Sequence, residues 1–157
     1  MSLENVETNE LYAMLPPHVR QELEDHKQVM TAPRGTLLLD HGVLPDRLVI
    51  LNKGSVQITV PCKRHSASVI SRQAGKVFGM RAVMSGELPE IDVVCLEPCE
   101  ITLLPREIFL ALLKNYPEIY FAVAKVLSAD LQIADCILRD HLRRGASAPR
   151  VRATRPV

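Results

Sequence analysis

The stretch VFGMRAVMSGELPEID, residues 77–92, holds the residue types from which an anion site could be built. Gly79 and Gly86 bracket a short apolar segment, as they would where backbone passes close to a bound molecule or turns sharply. An anion held there needs cations, and the stretch offers Arg81 against Glu87, Glu90 and Asp92. A salt bridge to Glu87 or Glu90 is the simplest use of that arginine, with a ligand contact as the alternative. Arg81 follows Met80 directly, so on a short helix one points away when the other points inward.

Other chemistry finds less support. The four cysteines, Cys62, Cys95, Cys99 and Cys136, include one CxxxC pair, but it lies in a strand-like segment interrupted by Pro98 with no histidine close in sequence. Free thiols are the expected state, with zinc or redox chemistry as the alternative. The five histidines (His18, His26, His41, His65, His141) are scattered, and His41 reads as a turn residue beside Gly42. No GxGxxG, P-loop, HExxH or GxSxG motif occurs, so the chain is not expected to be an enzyme.

Charge narrows the partners. Residues 143–157 hold five arginines and no acid, leaving 14 of the 19 basic residues against all 18 acidic ones in residues 1–142, a net −4. A body of that sign is a poor binder of phosphate backbones, so direct DNA binding by it is not expected. The Arg- and Pro-rich tail reads as a disordered end, or else as an electrostatic contact with nucleic acid or an acidic partner. No apolar run is long enough to cross a bilayer and MSLENVETNE is not signal-like, which implies no membrane partner and a cytoplasmic location.

At 157 residues and 47% hydrophobic, the chain suffices for one core. Residues 9–31 read as short helices, with Leu11, Met14 and Leu15 on one face and Val19 and Leu23 on the next, after Pro16-Pro17. From Arg34 to about Pro105, six of the seven glycines punctuate β-rich runs, and Val56, Ile58 and Val60 alternate with polar residues. Short strands at turn-marked intervals predict a mainly β domain with flanking α, an antiparallel barrel or jelly roll. Pro105 then opens a helix, PREIFLALLKN, and Pro117 opens a longer one to about Leu142, which Gly145 ends.

In that last helix Ile119, Val123, Val126, Leu127, Leu131, Ile133, Ala134, Ile137, Leu138 and Leu142 spread over about half the circumference. An arc that wide can serve the domain's own core and a second copy, so a homodimer is expected, its seam drawn from Val123, Val126, Leu127, Asp130, Ala134 and Leu138. Asp130 lies inside the apolar arc and needs a partner or access to water.

Taken together, PRGTLLLDHGVLPDRLVILNKGSVQITV, AGKVFGM followed by SGELPEIDVV, and LPREIFLALLKNYPEI resemble the cyclic-nucleotide-binding domain of the CRP/FNR regulators over about residues 9–142. The resemblance implies a jelly-roll sensor domain with N-terminal helices and a long C-terminal dimerisation helix (about 117–142), and a separate tail at 143–157. In members that bind cyclic nucleotide, a Glu after FG accepts from the ribose hydroxyl, and an Arg farther along the cassette pairs with the phosphate. Phe78 and Gly79 match that cassette, but the Glu position is Met80 and the Arg position is Pro89, or Glu90 if the loop slips by one. The base-contacting pair of the long helix falls near Ala134 and Asp135.

The resemblance thus implies a regulatory sensor around Phe78, Gly79, Met80, Arg81, Pro89, Glu90 and Ile91. It would not bind cAMP or cGMP in the family manner, and would take no assigned cofactor beyond an unknown small-molecule effector. The alternatives are a ligand-free dimeric module whose barrel is filled by Met80 and Ile91 and which docks a protein partner, or nucleotide binding through a relocated cation. A His-ligated haem, found in some relatives, is a further alternative. Family transcription factors continue into a helix-turn-helix domain, for which 15 residues after Leu142 are too few. That leaves a stand-alone sensor fold or a piece of a longer protein.

Overall fold

The structure, a computed structural model, describes residues 10–61 and 66–147. In chain order the elements are α1 (Glu10–Ala13), α2 (Pro17–His26), β1 (Gln28–Ala32), β2 (Leu37–Leu39), β3 (Arg47–Lys53), β4 (Val56–Val60), β5 (Ala67–Ser71), β6 (Lys76–Phe78), α3 (Met80–Ser85), β7 (Asp92–Cys95), β8 (Cys99–Pro105), α4 (Arg106–Asn115) and α5 (Ile119–Ser147). The strands form two antiparallel sheets, ordered β1-β8-β3-β6 and β2-β7-β4-β5. This is the mainly β jelly roll with flanking helices that the pattern predicts.

The burial of each strand follows from its place. Strand β4 turns Val56 and Ile58 into the space between the sheets and leaves Gln57 and Thr59 half-exposed. Strand β3 is buried on both faces: Val49 and Leu51 pack between the sheets, while Leu48 and Ile50 pack under the helices. A strand covered on both sides reads as a continuous apolar run, which is why LVIL shows no alternation. Helices α1, α2, α4 and the start of α5 cover the outer face of the first sheet through Leu11, Leu23, Phe109, Leu112 and Val126.

The chain passes from the first sheet to the second at Gly54, which has φ +116°. A Cβ there would lie 2.7 Å from Cys99 Sγ and 3.1 Å from its Cα, so space and backbone conformation both require glycine. Buried Cys99 donates its thiol to the Ser55 carbonyl at 3.3 Å. Burial, reinforced by the bond with Cys99, pushes the Cys95 thiol up to about 12, which favours its neutral form. Among the described residues Cys95, Cys99 and Cys136 are free thiols; Cys62 and His65 lie outside them.

Three boundaries differ from expectation. Residues 28–32 form a strand, not the end of a helix, and pair with β8. This edge strand buries only Ala32, so it carries no alternating signal. The last helix starts at Ile119, after a turn over Tyr116–Glu118, and runs through Gly145 to Ser147. A glycine inside a helix costs only about 1 kcal/mol relative to alanine, and the Arg144–Asp140 pair at 3.0 Å spans the same turn. The rest of the expected tail, from residue 148, and residues 1–9 lie outside the described residues. Among the described residues no helix is long and apolar enough to cross a membrane.

His41 sits in the turn between β2 and β3, where Gly42 donates to Asp40 at 2.8 Å. Its backbone N–H and its ring Nδ1 both meet Asp92 Oδ1, at 2.9 and 2.7 Å. The ring's bond to Asp92 raises the His41 pKa above 6.5, and the His41 backbone N–H lowers that of Asp92. The protonated histidine therefore adds stability that is full below pH 6.5 and fades as pH rises through its raised folded value. The Asp92 contribution is present above its unfolded value and fades only as pH falls through the depressed one. His41→Asn should accordingly lower the urea midpoint more at pH 5.5 than at pH 8.5; an equal deficit at both values would exclude the pair as the cause.

Candidate functional site

The candidate cavity forms where β6, the α3 turn, the loop before β7 and the middle of α5 converge. Gly79 caps α3 in the left-handed region (φ +88°), which lets the chain leave β6 and enter the helix with Met80 as its first residue. Gly86 closes α3 at φ +73°, its N–H bonding to the Ala82 carbonyl. Arg106 at the start of α4 donates from Nε to the Val83 carbonyl at 3.1 Å, fixing α3 from outside. The expected turns are present, and they enclose a cavity of about 390 Å³.

Its walls are mostly apolar: Leu39 from β2, Ile58 and Val60 from β4, Val77 and Phe78 from β6, and Leu127 and Leu131 from α5. Phe78, Gly79, Met80, Arg81, Pro89, Glu90, Ile91 and Ala134 all line it. Met80 is fully buried, whereas Arg81 is half-exposed and binds Glu87 at 3.0 Å and Glu90 at 3.5 Å. The inward methionine and outward arginine are what adjacent positions on a short helix require, and the arginine makes both of the expected salt bridges. Asp135 does not reach the cavity: it pairs with Arg139 at 2.8 Å one helical turn on, and lines a separate surface depression beside β5.

One pairing inside the cavity is not legible in the sequence. Lys76 Nζ lies 2.6 Å from Asp130 Oδ1, with the lysine side chain 2% exposed and the aspartate 38%. The apolar arc places Asp130 at a dimer seam; the structure instead explains it by a cation within its own chain. Half of the signal is visible, in an aspartate that needs a partner and a lysine in the apolar strand KVF after Gly75. Fifty-four residues separate them, and only the closed barrel shows that they meet.

The seam expectation is corrected further. Val123 and Val126 are 3% and 1% exposed and belong to the domain's own core, so they are not available to a second copy. Leu127 is partly buried against that core, and Ala134 is exposed at the cavity edge. Leu138 is exposed, as are Leu131 and Leu142, while the side chains of Ile133 and Ile137 lie outside the described residues. His41 is not among the residues lining the cavity. With Asp40 and Asp92 it places ligand-type atoms within 4.8 Å of one another, at least partly exposed and already joined by the His41–Asp92 bond.

The chain is thus a two-sheet jelly roll closed by a short glycine-bracketed helix and a long terminal helix. The sequence model described as "Cyclic nucleotide-binding domain" matches residues 29–116, more than half of the chain, and the chain belongs to that family. No curated protein matches it in sequence. Similar solved structures include the Thermus thermophilus catabolite activator protein, at 23% identity and a TM-score of 0.69, over 86% of this chain and 63% of that one. The sensor domain of the transcriptional regulator DNR from Pseudomonas aeruginosa is similar at 15% identity and TM-score 0.64, over 82% and 91%. The regulatory subunit of a cAMP-independent protein kinase A from Trypanosoma brucei is similar at 17% and 0.67, over 83% and 46%. The chain thus spans less than two thirds of the first and third of these proteins, and at such identities the likeness shows the fold.

The unequal exposure of the ion pair sets the expected cost of breaking it. Removing Lys76 leaves an aspartate that can reach water, whereas removing Asp130 strands a buried ammonium. Asp130→Ala should lose about 3 kcal/mol and Lys76→Met no more than about 1 kcal/mol in urea unfolding. Equal losses would show that the pair's asymmetry has no energetic weight.

Proposed function

We propose that this chain is a regulatory sensor domain of the CRP/FNR type that takes an apolar effector in its cavity and does not bind cAMP or cGMP in the family manner. The supporting observation is the cavity of about 390 Å³ that persists with Met80 and Ile91 in place, within the size range of small-molecule sites. A barrel filled by those two side chains would instead favour a ligand-free interaction module. Met80 stands where the resemblance puts the ribose-binding glutamate, and Pro89 where it puts the phosphate-binding arginine. Arg81, the cation within α3, is engaged by two carboxylates at the cavity edge. Deleting one member of a charge-assisted pair in a desolvated site costs roughly 2–5 kcal/mol, at about tenfold in affinity per 1.4 kcal/mol. One structural neighbour is described as a regulatory subunit of a cAMP-independent kinase, so this fold does not entail cAMP control.

Signalling in this proposal runs from the cavity to α5. Leu127, Leu131 and Ala134 of that helix share the cavity with Met80, so occupancy shifts how α3 and α5 pack together. The readout is a homodimer formed on the exposed stripe of Leu131, Leu138 and Leu142, and the site of action is the cytoplasm.

Calorimetric titration with cAMP and cGMP up to low millimolar concentration should give no saturable heat. Micromolar binding would overturn the proposal, and its loss in Arg81→Ala would place the phosphate contact on that residue. For the second half, sedimentation velocity should show a dimer that Leu138→Glu converts to monomer. A wild-type monomer at tens of micromolar would remove α5 pairing from the mechanism.

A further inference from the structure

We propose that the effector is an apolar molecule bearing one carboxylate, and that its head group displaces Asp130 from Lys76; this rests on the effector-sensing proposal above. Lys76 is 2% exposed, and the cavity around it is walled by Leu39, Ile58, Phe78 and Leu127. An ammonium in such surroundings is costly without an anion beside it, so the site keeps a negative group at Nζ in every state. Asp130 fills that role here, at 2.6 Å.

The two partners differ in what they can do when a second anion arrives. Lys76 projects from β6, whose backbone is fixed by pairing to β3 in the register Leu51↔Lys76, and its side chain is 2% exposed. Asp130 is 38% exposed on a helix, and a change of rotamer hydrates its carboxylate. A ligand carboxylate can therefore replace Asp130 at Nζ with the buried charge still balanced, while the ligand's apolar body fills the cavity. Arg81 is the poorer anchor, being half-exposed and held by Glu87 and Glu90. One buried ammonium matches one negative charge, which favours a carboxylate over a doubly charged phosphate monoester.

The exchange is also a regulatory step. Lys76–Asp130 ties α5 to the barrel at the point where the helix passes from buried Val126 to exposed Leu131. Substituting the ligand's carboxylate cuts that tie, so the part of α5 beyond Asp130 changes its hold on the domain only for an acidic effector. A neutral molecule of the same shape fills the cavity and leaves the tie intact.

The test is calorimetric titration of the full chain with octanoate, octan-1-ol and octyl phosphate, using wild type, Lys76→Met and Asp130→Asn. Octanoate should bind wild type about tenfold more tightly than octan-1-ol. Lys76→Met should abolish that preference while retaining the alcohol, and Asp130→Asn, which removes the competitor, should bind octanoate about tenfold more tightly than wild type. Equal affinity for acid and alcohol in wild type would overturn the counter-ion role and leave the apolar cavity standing. Acid preference surviving in Lys76→Met would move the anchor elsewhere, and weaker octanoate binding by Asp130→Asn would overturn the displacement. Tighter binding of octyl phosphate than of octanoate would overturn the carboxylate. No binding of any probe at millimolar concentration would sink the apolar-effector proposal and this inference together. The comparison of wild type with Lys76→Met decides the counter-ion question even where Asp130→Asn fails to fold.

Discussion

One buried charge organises the functional end of this domain. Lys76 is the largest fully buried polar side chain among the described residues, and it lies where β6 meets the middle of the terminal helix. An ammonium there is tolerated only while an anion stays within contact distance. That requirement places Asp130, and with it a particular turn of α5, against the cavity. Apolar packing alone would let the helix slide or rotate over a smooth surface of leucines and valines; a single short ion pair in a low-dielectric pocket sets one registration. The same pair gives the cavity its chemical character, an apolar volume with one ion pair at its wall.

The cassette illustrates how turn geometry and ligand chemistry separate. Gly79 and Gly86 both hold positive φ, and Arg106 clamps the Val83 carbonyl, so glycine conformations and one side-chain bond direct the path of the backbone around α3. The side chains on that path are free to change because they do not determine it. Met80 takes an inward position and adds to the hydrophobic core, and Pro89 offers no donor. The result is a glycine-bounded loop around an apolar interior, with Arg81 turned toward Glu87 and Glu90.

Legibility in the sequence tracks how local each determinant is. Strand β4 is readable because one face is buried and one is not, and the start of α4 because Pro105 suits the entry to a helix. Strand β1 is not, since an edge strand that buries one residue leaves no period. The wide apolar arc of α5 shows a helix with more than one apolar duty but misassigns its residues: Val123 and Val126 face inward, and helical spacing cannot say how far along a helix its own domain reaches. Among the candidate residues, those of the contiguous loop line the cavity, whereas helix rotation carries Asp135 away from it. Lys76 escapes notice because a lysine in a strand ordinarily reaches solvent, and its partner lies in another element.

The terminal helix is mechanically two segments. Ile119, Ala122, Val123 and Val126 anchor its start in the core, while Leu131, Leu138 and Leu142 are exposed and the later turns run past β5 across a surface depression, over a helix of 29 residues, a length of about 44 Å. The outer segment carries pairs of its own, Asp135–Arg139 and Asp140–Arg144, which favour helix locally without fixing its direction. Leu127, Asp130, Leu131 and Ala134 border the cavity where support gives way to exposure. A small change in packing at that point moves the far end of a rigid rod farther than the near one. The charged tie between Lys76 and Asp130 sits at that point of transition along α5.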